Sequence, residues 1–104
     1  MNVKLEGKYY TNEKGLKSYE IYNEEEKNIF KYADLISNKF GYKCSLPFIG
    51  LDIVIIDLFK EQNELTLGWD IWSGIFIMSE LPQYNDIIQD IGDFIDQLIL
   101  QEAK

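Results

Sequence analysis

The stretch Leu51-Asp-Ile-Val-Ile-Ile-Asp-Leu-Phe59, with the run from Glu64 to Met78 that follows a polar turn at Glu61-Gln-Asn-Glu64, decides the fold class. Its first nine residues are rich in β-branched side chains and are apolar on both faces apart from Asp52 and Asp57, the pattern of a strand inside a covered sheet. Leu65, Leu67 and Trp69 then alternate with Glu64, Thr66, Gly68 and Asp70, which predicts a half-buried strand. Asp70 to Gly74 supplies turn residues, and Ile75 to Met78 resumes in β-type residues. Strands over 51–59, 64–70 and 74–78 joined by such short turns form an antiparallel β-meander.

Working outward, helical spacing appears on either side. Asn23 is suited to an N-cap, and Glu24, Glu25 and Glu26 place negative charge where the helix dipole favours it. Ile29, Ala33, Ile36 and Phe40 recur on one face with Lys27, Lys31, Asp34 and Asn38 opposite, and Gly41 stands where a C′ glycine ends a helix. A helix over 24–40 is expected, followed by a loop through Pro47 to Gly50. After Ser79-Glu-Leu-Pro82, which offers a cap and an early proline, a second helix is expected over 82–101. Its apolar stripe is Tyr84, Ile87, Ile88, Ile91, Phe94, Ile95, Leu98 and Ile99, and its polar face is Asp86, Gln89, Asp90, Asp93, Asp96 and Gln97. Residues 1–22 contain β-rich material, with Val3, Leu5, Tyr9 and Tyr10 before a turn over Thr11 to Gly15 and Leu16, Tyr19 and Ile21 after it, which reads as a hairpin. The fold class expected is α+β, an antiparallel meander packed by two amphipathic helices, in a single domain spanning 1–104. With 104 residues, there is room for one core and little else.

The chemistry available is narrow. There is no histidine and no arginine, which removes Ser-His-Asp and Cys-His constellations, and neither pattern of glycine-rich phosphate loop occurs. Ser73, within Gly68-Trp-Asp-Ile-Trp-Ser-Gly74, lacks the spacing of a nucleophile elbow. The lone Cys44 cannot form an internal disulfide and reads as a small apolar residue. Asp52 and Asp57 differ in strand parity, so they cannot act as a pair, and Asp86, Asp90 and Asp93 share a helix face without a calcium loop around them. No catalytic residue, metal ligand or cofactor is assigned, and the expectation is a protein that is not an enzyme. The longest nearly apolar run is about half of what a bilayer requires, and no leader-like start is present, so cytoplasmic residence is expected.

Charge is distributed unevenly. Residues 1–43 hold eight lysines against seven carboxylates, whereas residues 44–104 hold two lysines against eleven, a net −9 within an overall −8. Such a field repels nucleic acid and acidic membranes and attracts basic proteins. Trp72 sits in a turn between strands, where a tryptophan is often a contact residue. The candidate partner-binding residues are therefore Asp86, Asp90 and Asp93 on the last helix, with Glu61, Glu64, Asp70 and Trp72 around the strand connections.

The stretch Leu65-Thr-Leu-Gly-Trp-Asp-Ile-Trp-Ser-Gly-Ile-Phe-Ile-Met-Ser79 followed by an acidic amphipathic helix resembles the C-terminal part of small immunity proteins of bacterial polymorphic toxin systems, including contact-dependent growth inhibition. The resemblance covers about fifteen residues and extends to size, acidity and sheet-then-helix order. It implies a protein that binds and neutralises a cognate toxin domain, commonly a nuclease. A nuclease needs a basic surface for phosphates, and a protein presenting carboxylates can compete for it. Two other readings stand beside this one: a different protein-binding adaptor or phage-derived inhibitor, and a small enzyme working with carboxylates and tyrosines.

Overall fold

In a computed structural model that describes residues 5–102, β1 (Gly7–Thr11) and β2 (Lys17–Ile21) form the expected hairpin, with Tyr9 opposite Tyr19. Its turn is held by Asn12, whose Oδ1 accepts from the N–H of Lys14 at 2.9 Å and of Leu16 at 3.0 Å, a side-chain mimic of a backbone turn. Val3, assigned to the same β-rich segment by sequence, lies outside the described residues. The meander is present as β5 (Ile53–Lys60), β6 (Asn63–Asp70) and β7 (Gly74–Met78). With the two-residue strands β3 (Lys43–Cys44) and β4 (Phe48–Ile49), they make one antiparallel sheet in the order β1-β2-β7-β6-β5-β3, with β4 also on β5. Helices α1 (Ile29–Phe40) and α2 (Asn85–Glu102) cover it, each entered through a single 3₁₀ turn, Glu26–Asn28 and Pro82–Tyr84. The fold is α+β, as the hydrophobic pattern predicts.

Register shows which face the helices take. Tyr19, Ile77, Leu67 and Ile56 are cross-strand neighbours in one lateral row, and all are buried. They join Val54, Leu58, Leu65 and Ile75 beneath Ile29, Tyr32 and Ile36 of α1 and Ile88, Ile91 and Ile95 of α2. The expected stripe of α2 is the buried one, and Phe94 meets Phe40 of α1 edge to face at 5.7 Å. α2 closes onto β1 and β2 through Gly92, where a Cβ would lie 2.3 Å from the Tyr9 hydroxyl and 2.7 Å from the Tyr19 ring. Gly92→Ala should therefore cost about 2 kcal/mol through overpacking, despite alanine's better helix propensity. A shift in urea midpoint at unchanged m-value is the readout, and equal stability of the variant would show that the tyrosines yield freely.

Three expectations need correction. The strand placed over 51–59 begins at Ile53, because Gly50 N–H bonds to the Ile53 carbonyl at 2.8 Å and closes a hairpin whose tip is Leu51-Asp52. The segment read as a loop before it is a bulged edge strand. Lys43 and Cys44 pair with Phe59 and Leu58, and Phe48 and Ile49 pair with Ile55 and Val54, so Leu46 and Pro47 together oppose the single residue Ile56. A bulge carrying a proline, which has no N–H to offer, discourages strand-to-strand pairing at this edge. Finally, the helix placed over 24–40 begins as α1 only at Ile29, because the chain first makes the 3₁₀ turn over Glu26–Asn28; Asn23 lies in the turn after β2 and is not the N-cap, and Glu24 is not exposed helix-start charge. Glu24 is buried, and its carboxylate accepts from the N–H of Glu25 (2.9 Å), the Asn28 amide (2.7 Å) and the Tyr32 hydroxyl. Gly41 does end α1 in the left-handed conformation, at φ 79°, as expected.

Candidate functional site

The lateral order of the strands brings three chain reversals to one end of the sheet. β2 runs out into Tyr22, β6 turns to β7 through Ile71-Trp72-Ser73, and β4 turns to β5 through Leu51-Asp52. Ile53 pairs with Asp70, so the Leu51 and Trp72 tips lie side by side. These tips carry apolar side chains into water: Leu51 is 98% exposed, Trp72 75% and Tyr22 70%, with Ile71 half exposed. Single exposed apolar residues are ordinary, but neighbours of this size at one end of a small domain mark a contact surface.

The patch continues along the bulged edge. Leu46 is 92% exposed, and Phe48 and Ile49 are nearly two-thirds exposed. Ile49 also lines a cleft of about 340 Å³ with Phe30 and Ile29 of α1 and with Glu25, Glu26 and Lys27 of the turn leading into that helix. The sequence pattern predicts a connecting loop up to Gly50 and a strand from Leu51, and does not disclose the apolar rim that Leu46, Phe48, Ile49 and Leu51 form. The local sequence carries no signal for it, because a bulge between two two-residue strands leaves no period to read.

Carboxylates border this apolar end. Asp52 shares the tip with Leu51, and Glu25 and Glu26 flank the Phe30 cleft, where Glu25 holds Lys27 at 3.2 Å. Asp70 shapes the Trp72 tip, accepting on one Oδ from the N–H of Trp72 (2.9 Å) and of Ser73 (2.6 Å). Trp69 behaves differently from Trp72, as alternation predicts: it faces the helices, and its indole N–H donates to the Glu24 carbonyl at 3.2 Å.

The residues singled out by sequence do not form one surface. Asp70 and Trp72 belong to the apolar end. Glu61 and Glu64 lie at the opposite end of β6, roughly 23 Å away at strand rise, where Glu61 takes the tight two-residue turn at φ 57°. That end also holds Lys43, whose strand partner Phe59 pairs with Glu64, and Lys60, which donates to the Phe40 carbonyl at 3.0 Å. Asp86, Asp90 and Asp93 share an exposed helical face as expected, but on the helix layer beside β1. Asp93 is also engaged in the fold: the Tyr9 hydroxyl donates to it at 2.7 Å, and the Gln89 amide donates at 3.0 Å. Asp96 in turn accepts from the Tyr19 hydroxyl. Burial first, then these carboxylates, push the Tyr9 and Tyr19 phenols well above their ordinary range, so both stay protonated donors.

No protein-family model, curated protein or solved structure matches the chain. The function therefore has to be argued from this surface. Among the described residues, no group of three or more His, Cys, Asp or Glu side chains is placed to hold a metal ion, and no helix is long and apolar enough to cross a membrane. Cys44 faces α1, with its thiol 3.9 Å from the Ala33 carbonyl, and burial, then Asp34, push its pKa up, away from thiolate chemistry.

Proposed function

We propose that this chain is a cytoplasmic immunity protein that binds and neutralises a bacterial toxin domain with a basic surface, a nuclease domain fitting best, and that it has no catalytic activity of its own. The observation carrying this reading is the apolar end of the sheet, with Trp72 and Leu51 standing out of the fold inside a border of Asp52, Asp70, Glu25 and Glu26 that stays net negative with Lys27 paired to Glu25. Large apolar anchors supply the affinity of a protein interface, and a polar rim of one sign selects a partner of the other sign and speeds encounter. A toxin that grips phosphates carries the complementary charge.

The test uses the gene immediately next to this one. If it encodes a toxin domain, that domain expressed alone should arrest growth, this chain should restore growth, and the two should form a complex in calorimetry. Failure of both rescue and binding leaves the adaptor or inhibitor reading in its place. The two acidic surfaces should then separate by kinetics. Glu26→Lys with Asp52→Lys should slow association several-fold at low salt and flatten its salt dependence, because charges beside the contact steer the encounter. Asp86→Lys with Asp90→Lys makes the same change in net charge on the helix layer and should have the smaller effect. Equal slowing by both pairs would mean that net charge, and not this surface, governs association.

A further inference from the structure

We propose that a groove along β2, on the sheet face that no helix covers, receives an arginine side chain from an extended segment of a protein partner. Glu20 and Asp70 take the guanidinium, and Tyr10, Phe76 and Met78 take the stem. The inference rests on the protein-binding reading above and gives it a second contact.

The groove follows from strand parity. Ser18 and Glu20 of β2 project away from the helices; on the same face Tyr10 of β1 and Met78 of β7 flank Ser18, and Lys8 of β1 and Phe76 of β7 flank Glu20. Phe76 in turn pairs with Gly68, and the far end of its ring lies over that glycine, where a Cβ would meet it at 2.3 Å. The ring leans toward β6, and the small Ser18 leaves the space above β2 open. The resulting trough encloses about 420 Å³. It runs from the Asn12 turn to Asp70 and Ser73, and so ends at the foot of the Trp72 tip.

Charge selects the occupant. Lys17 lines the groove through its position in β2, but its ammonium is on the other layer, donating to Gln89 Oε1 at 2.6 Å and lying over the Tyr9 ring. Among the described residues, the ion pairs are Lys27–Glu25 and Lys31–Glu102, so no lysine ammonium is in ion-pair contact with Glu20 or Asp70, although Lys8 stands opposite Glu20 on the neighbouring strand. Asp70 uses one oxygen to hold its turn, and its other oxygen makes no hydrogen bond with a described residue. Burial, then Asp70, raise the Glu20 carboxyl above the usual carboxylate range, the condition a bound cation would relieve. A planar guanidinium suits this place better than an ammonium, because it stacks on aromatic rings while bonding carboxylates.

The probe is a capped Gly-Arg-Gly tripeptide titrated into the ¹⁵N-labelled full chain, with the citrulline analogue as the uncharged control. The arginine peptide should shift the amides of 18–20 and 70–78 with an affinity on the order of millimolar, as its size allows. Glu20→Gln, which keeps the shape, should weaken it about tenfold, and the citrulline peptide should leave the groove unshifted. Shifts gathered on Asp86 and Asp90, an unchanged affinity in Glu20→Gln, or no binding at all would overturn the assignment. Because the probe contains no toxin, the two readings fail separately. Arginine binding without a neighbouring toxin keeps the groove and removes the toxin; tight toxin binding without peptide binding does the reverse.

Discussion

Glu24→Ala should be the most destabilising polar substitution in the molecule, costing about 3 kcal/mol, because it strands donors gathered around one carboxylate. Glu24 is 6% exposed and joins the turn after β2 to α1, accepting from Glu25, Asn28 and the buried Tyr32 hydroxyl. Removing it leaves the Tyr32 hydroxyl in the core without its acceptor, and nothing replaces the bond that starts the helix. Glu24→Gln keeps the volume and one acceptor and should cost less. Burial by itself raises the carboxyl pKa, but the bonds from Tyr32, Asn28 and Glu25, with Lys31 nearby, outweigh it and hold the group below its ordinary value of 4.5. A group depressed in the folded state contributes stability that is complete above the unfolded value and is lost as pH falls through the folded one. Urea midpoints between about pH 6 and about pH 3 should therefore fall more steeply for the natural chain than for Glu24→Gln. Parallel slopes would mean that Glu24 is not held as a carboxylate.

Glu24 shows what a local sequence pattern discloses and what it leaves to the fold. Three glutamates before a helical stripe announce that a helix is near, but α1 starts only at Ile29, after a 3₁₀ turn over Glu26–Asn28, and its first turn holds no carboxylate. Which of the three turns inward depends on the path of the turn that brings Glu24 to the Tyr32 hydroxyl and on Trp69, 45 residues on, which bonds the Glu24 carbonyl, and helical phase alone contains no trace of that. The same holds for Asp93, assigned to a solvated row from its helical phase and bonded to Tyr9, 84 residues away in the chain. By contrast, the buried faces of α2 and β6 were legible because their period is a local property that burial merely enforces. The edge over 43–49 was not legible. A bulge breaks alternation, two-residue strands fall below any window, and Leu46, Phe48, Ile49 and Leu51 look from composition alone like core residues. Hydrophobicity says that a side chain gains by leaving water; it does not say whether its own chain or another supplies the cover.

That distinction bears directly on Trp72→Ala, which should weaken the proposed complex with a toxin domain by about 3 kcal/mol, roughly 150-fold in Kd, through faster dissociation. The indole is 75% exposed, and the tip that carries it is shaped by Asp70, which bonds the backbone of residues 72 and 73 and not the ring. Truncation therefore removes area that only a partner can bury, and the stability of the free chain should change by less than about 0.5 kcal/mol. Trp69→Ala supplies the contrast: that indole faces the helices and bonds the Glu24 carbonyl, so its loss should lower stability directly. Leu51→Ala, at the adjacent tip, should reproduce the Trp72 effect in part, since the side chains around a central aromatic mainly exclude water from it. Dissociation rates from surface plasmon resonance, with urea midpoints measured on the same samples, separate the two kinds of loss. A Trp72→Ala protein that keeps its fold and leaves the toxin no faster than the natural chain would move the interface away from this end of the sheet.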